Sequence, residues 1–220
     1  MRSKYEKNLF VYLIIGIALA ISLIEMWSNE RAKECKEAYD RFWEKHIYKE
    51  DFYYPEDVRY EYVFIDKDNI PELLLADGDS HVSRVGLYTY NKKLKQVEFL
   101  ASFSSFGELQ YVPKGNTIIS QYGNHGYYHQ VYSKMEDNEI HLKAIFLSDG
   151  SKGEQKYYGG FSVNEDFTGG YGKSNSGEDI FDTLPEGTEE YRISEEEYEK
   201  LTGELEVGSI SIGYDDMQRL

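Results

Sequence analysis

"VRYEYVFIDKDNIPELLLADG", residues 58–78, decides what kind of chain this is. Val58, Tyr60, Tyr62 and Phe64 recur at every second residue, the period of a strand, whose successive side chains point to opposite faces. The run breaks at "DKDNIP", residues 66–71, rich in turn-forming Asp, Asn and Pro, and a strand resumes as "ELLLA" at 72–76. The connection is too short for a parallel crossover, so the two strands pair as an antiparallel hairpin.

The same grammar repeats downstream. "VGLYTY" and "VEFLASF" flank "NKKLK", "LQYVP" and "TIISQY" flank "KGN", and "YYHQVYSK" and "IHLKAIFL" flank "MEDNE". Short aromatic and β-branched runs joined by such turns describe an antiparallel meander, and no long helical segment interrupts it. Roughly seven to nine strands are expected, in one strongly curved sheet or a partial barrel. Helices bracket this sheet. In "SNERAKECKEAYDRFWEKHIYKE", residues 28–50, Ala32, Cys35, Tyr39, Phe42, Trp43 and His46 fall on one helical face, and the helix ends by Pro55. Near the C-terminus "ISEEEYEKL" opens a second, short helix. Ser194 is its cap, Ile193 and Tyr198 form a hydrophobic staple, and Leu201 and Leu205 extend the inward face. "GGYGKSNSGED", near 169–178, reads as a flexible loop, followed by a strongly acidic C-terminal region. The fold class is therefore α+β with a dominant antiparallel sheet.

Before all this lies "LFVYLIIGIALAISLI", residues 9–24, almost wholly apolar. Extended through Trp27, it makes a helix of about 28 Å, matching the hydrocarbon core of a bilayer. Arg2, Lys4 and Lys7 against Glu6 precede it, so the positive-inside rule keeps the N-terminus cytoplasmic and sends the rest outside. The chain thus divides into an anchor with a cytoplasmic stub (1–27), an amphipathic helix (28–54) and an extracellular β-rich domain (55–220). Ala18-Leu19-Ala20 also offers a signal-peptidase pattern, and cleavage there would release a secreted protein. One cysteine, Cys35, excludes an internal disulfide and reads as a core residue.

The acidic turn has two readings. As an Asx-stabilised turn it fixes the hairpin register. As a calcium loop it places Asp66, Asp68 and Glu72 at alternating ligand positions, with Asp77 or Asp79 of "ADGDS" as further candidates. Phe64 occupies the place of the first ligand and Asn69 that of the usual glycine, so such a site is degenerate, and three carboxylates imply affinity of about 0.1 to 1 mM. "YVFIDKDNIPELLLADG" resembles the D-x-D-G-D-G-x-x-E-L unit of FG-GAP/VCBS-type repeats. It is still more similar to the single D-x-D-x-x-P-E-L copy in uncharacterised exported or membrane-anchored proteins of Gram-positive bacteria, on Tyr62, Asp66, Asp68, Pro71, Glu72 and Leu73, then "GLYTYNKK" and "ISEEEYEKL". That resemblance covers residues 58–205 and implies a β-rich extracellular domain and, where the loop is complete, structural calcium.

Forty acidic against 24 basic residues, a net −16, exclude nucleic-acid binding, which needs a basic face against phosphate. No nucleophile elbow or Ser-His-Asp order is visible. His125 and His129, four apart on a strand, stand too far from one another to share a zinc ion. The expected work is binding or scaffolding at the cell envelope, on glycan or protein, through an aromatic sheet face supplied by some of the 21 tyrosines. Two alternatives stay open: an envelope hydrolase using an acidic pair, and a membrane subunit pairing through Gly16, Ala18 and Ala20 of its anchor helix.

Overall fold

The structure is a computed structural model, and it describes residues 33–42, 55–80, 83–104, 106–124, 126–161 and 188–219. The anchor segment 9–27, the remainder of the amphipathic helix with Trp43 and His46, and the loop near 169–178 lie outside these residues. Among the described residues no helix is long and apolar enough to cross a membrane.

The hairpin at 58–78 forms as its pattern requires: β1 (Arg59–Val63) pairs antiparallel with β2 (Glu72–Ala76). The chain continues through β3 (Arg84–Asn91) and β4 (Gln96–Ser104), and the C-terminal β12 (Gln218–Arg219) closes a five-stranded sheet of order β12-β1-β2-β3-β4. A second meander follows: β5 (Leu109–Val112), β6 (Thr117–Asn124), β7 (Tyr127–Glu136), β8 (Glu139–Asp149) and β9 (Lys156–Phe161). With β10 (Arg192–Ile193) and β11 (Ile210–Ile212) at its edges it makes a seven-stranded sheet, and every pairing in both sheets is antiparallel.

The expected single curved sheet or partial barrel is therefore corrected to two sheets packed face to face. One core joins them, with Val63, Leu74, Val85, Leu87 and Phe103 from the first sheet against Leu109, Ile118 and Met135 from the second. The division falls at the β4–β5 connection, where Phe106 and Gly107 both take positive φ (52° and 72°) and turn the chain out of one sheet into the other. Gly107 has no substitute there: a Cβ would lie 1.9 Å from the Gly78 carbonyl oxygen.

Each sheet carries a helix on its outer face. α1 (33–42) buries Cys35, Ala38 and Tyr39 against Leu73, Leu75, Tyr88 and Tyr90 of the first sheet. The Tyr39 hydroxyl donates to the Pro71 carbonyl (2.7 Å), and the Tyr90 hydroxyl donates to Glu34 (3.0 Å). Burial pushes the Cys35 thiol up to about 11, with Glu34 and Asp68 adding to it, so this cysteine is an inert core group. α2 (Glu195–Leu205) is capped by Ser194, whose hydroxyl accepts the Glu197 N–H at 3.2 Å. It packs Tyr198 and Leu201 on Ile119, Tyr132 and Phe146 of the second sheet, with Ile193 in the same cluster, while Leu205 stays 40% exposed.

Candidate functional site

The acidic turn between β1 and β2 is built by its own side chains. Asp66 Oδ1 accepts the Asp68 N–H (2.8 Å), and Asp68 Oδ1 accepts the Ile70 N–H (2.6 Å), two successive Asx turns that fold the loop back on itself. Glu72, the first residue of β2, points inward at 1% exposure, and its Oε2 accepts the Ile65 N–H (2.8 Å). The fold brings the three sequence-predicted ligands together: Asp66, Asp68 and Glu72 each offer a carboxylate oxygen within 4.8 Å of the others. Burial pushes Glu72 up to about 8, and Asp66 and Asp68 nearby add to it against the Ile65 hydrogen bond. Burial raises Asp66 as well. Asp77 and Asp79 do not join. They follow β2 at its far end, about 16 Å along the strand, where Asp77 accepts the Arg84 N–H (2.9 Å).

A cation already answers this charge. Lys92, in the β3–β4 turn, donates to Asp68 Oδ2 at 2.8 Å, and Lys114, in the β5–β6 turn, reaches Asn69 Oδ1 at 3.3 Å. Sequence reasoning missed both lysines: within the meander alternate turns share one end of the sheet, which sets "NKKLK" beside "DKDNIP" once the sheet order is known, whereas Lys114 arrives from the second sheet. Calcium takes six to eight oxygens at about 2.3–2.6 Å. Here one oxygen of each carboxylate accepts a backbone N–H and Asp68 is also paired with Lys92, so the donor set is compatible with a divalent ion only when that ammonium swings away. The Phe64 side chain, at the place of the first calcium ligand, is 40% exposed, with the Lys114 ammonium 5.6 Å from its ring centre.

Of the two histidines, His125 lies outside the described residues. His129 is sealed at 1% exposure beside the Tyr122 ring (6.1 Å), and burial pushes it down to about 4. Seven of the tyrosines are internal: Tyr39, Tyr88, Tyr90, Tyr111, Tyr132, Tyr158 and Tyr198 are all buried.

Beyond the C-terminal end of α2, a groove of about 360 Å³, counting the open solvent within it, is lined by Phe106, Glu108, Gln110, Ile119, Gln121 and Tyr128. Ile119 forms its buried floor, and Phe106 and Tyr128 stand at 42% and 36% exposure.

No family model matches this chain, and searches of curated proteins and of solved structures find no match either.

The site must be read from its own chemistry. Around the groove Gln121 Nε2 donates to Gln110 Oε1 (3.2 Å), and Gln110 Nε2 donates in turn to Ser209 Oγ (2.7 Å). At its side Glu206 accepts from Gln130 Nε2 (2.7 Å) and from the Tyr132 hydroxyl (3.4 Å), locking the end of α2 to the sheet. Burial, then Glu206 and Glu108, push the Tyr128 hydroxyl up to about 12, so two carboxylates act on this aromatic wall. None of the six lining residues is basic. Little in the sequence announced the groove, because it assembles from the β4–β5 turn and four residues spread over β5, β6 and β7.

Proposed function

We propose that the chain is a membrane-anchored binding domain displayed outside the cell, with the groove on the second sheet as its contact surface. The observation that carries this reading is the groove: a buried apolar floor and two part-exposed aromatic walls on a face that α2 elsewhere covers. Rigid aromatic side chains left in water become anchors when a partner covers them. The anchor and its orientation are supported by the apolar run 9–27 and the basic flank before it. A release form cleaved after Ala20 would carry the same domain. The hydrolase alternative needs an acidic pair open to substrate, and Glu72, whose carboxyl burial pushes up to about 8, lies at 1% exposure. Calcium on Asp66, Asp68 and Glu72 would serve the domain's stability, consistent with the acidic-turn resemblance, and Lys92 is its rival for that place.

Two measurements test the reading. An epitope tag placed after Leu220 should be reached by antibody on unbroken cells; a tag reached only after permeabilisation removes the display. The full chain should bind the envelope fraction and lose most of that binding with Phe106→Ala and Tyr128→Ala together. Undiminished binding by that double variant removes the groove from the function.

A further inference from the structure

The groove's chemistry is unbalanced in a way that selects its occupant. Its lining offers the Glu108 carboxylate, the amide oxygen of Gln121 and the Tyr128 hydroxyl, which both accepts and donates, and the charge of Glu206 reaches Tyr128 from nearby. Of its donors, Gln110 and Gln121 already spend one N–H each within the Gln121–Gln110–Ser209 chain. A pocket with two carboxylates near it and no basic residue in its lining repels an anion and attracts a cation. Two aromatic rings beside an apolar floor suit an aliphatic stem ending in a cation. The net charge of −16 adds long-range attraction for a basic partner.

Resting on the reading of this groove as the contact surface, we propose that it receives the basic side chain, lysine or arginine, of a segment of a partner protein. The stem lies over Ile119 between Phe106 and Tyr128, and the ammonium or guanidinium is held at Glu108, with the charge of Glu206 adding to the field. Phosphate-rich envelope polymers are excluded by the same charges.

The test uses the full chain in a polyoxyethylene detergent, which carries no sugar, and a fluorescent glycine-serine nonapeptide bearing two lysines. The comparison probes are the same peptide with Nε-acetyl-lysines and a neutral chito-oligosaccharide. The lysine peptide should bind below about 1 mM and weaken at least about fivefold on acetylation, with further loss in high salt. Glu108→Gln, a surface change whose unchanged circular dichroism is the folding control, should weaken it about threefold or more, and Tyr128→Ala more still. Acetylated peptide binding as tightly, Glu108→Gln without effect, or no binding of the lysine peptide would each overturn the proposal. Oligosaccharide binding lost on Tyr128→Ala overturns the basic occupant and keeps the groove as a contact surface. Peptide binding that ignores both Tyr128→Ala and Phe106→Ala overturns the groove itself.

Discussion

Glu72 carries the sharpest chemistry at the scale of single residues. Its folded pKa, raised to about 8 by burial, lies above the ordinary carboxylate value near 4.5, so the folded state holds a proton that the unfolded chain releases. That contribution to stability is complete below about pH 4.5 and is lost as pH climbs to 8, at no more than about 1.4 kcal/mol per pH unit. His129 acts oppositely: its folded pKa is lowered to about 4, so its penalty is present at low pH and gone above its unfolded value of 6.5. The window between pH 6.5 and 8 therefore isolates Glu72 from the histidine. Denaturant titrations across it should show stability falling in the native chain and a flatter profile in Glu72→Gln; parallel profiles would mean that Glu72 is ionised throughout. Lys92 gives the second test. While its ammonium sits on Asp68, 2 mM calcium should shift melting by less than about 1 °C; with Lys92→Met it should stabilise by about 0.7–1.8 kcal/mol, for affinities of about 0.1–1 mM. That is a rise of several degrees, with magnesium as control. An equal calcium response in both chains would show that Lys92 does not compete for the place.

Elements divide by how local their causes are. The hairpin at 58–78, the later hairpins and the capped start of α2 were legible because each is dictated within a dozen residues by period, turn chemistry and capping. The convergence of Asp66, Asp68 and Glu72 was legible for the same reason. The split into two sheets was not. It depends on a backbone turn at Phe106–Gly107 and on strands of two or three residues, β10, β11 and β12, too short to show any period. Lys92 and the groove are tertiary juxtapositions, which a strand pattern shows only once sheet order is known. Gly107 tests the split directly. Any side chain there meets both a positive φ and the Gly78 carbonyl, so Gly107→Ala should lose at least about 2 kcal/mol in denaturant unfolding, whereas Gly153→Ala, also at positive φ but in open space, should lose less. Equal losses at the two glycines would mean that the Gly78 contact imposes no extra constraint on the β4–β5 turn.

At the scale of the molecule, one core is shared by two sheets, and the chain after α2 visits both. β11 pairs with β5 at the edge of the second sheet, β12 pairs with β1 at the edge of the first, and Met217 between them enters the common core. Arg59 holds this crossing in place. Its Nη1 donates to the Tyr214 carbonyl and to Asp215 Oδ1, both at 3.0 Å, and its guanidinium lies 4.0 Å from the Tyr214 ring centre. The Tyr214 hydroxyl returns a hydrogen bond to the Asp57 carbonyl (2.6 Å). Asp215 is 84% exposed, so its ion pair contributes little, and the carbonyl bond with the stacked ring carries most of the hold. Arg59→Ala should therefore destabilise the chain by about 1–3 kcal/mol, while Asp215→Asn stays within about 0.5 kcal/mol. Arg59→Lys should recover little, because an ammonium lacks the planar fork that stacks and bonds at once. Hydrogen exchange locates the effect: in Arg59→Ala the amides of 210–219 should lose protection before those of β7 and β8. Unchanged protection across 210–219 would mean that the edge pairings hold the two sheets together without this clamp.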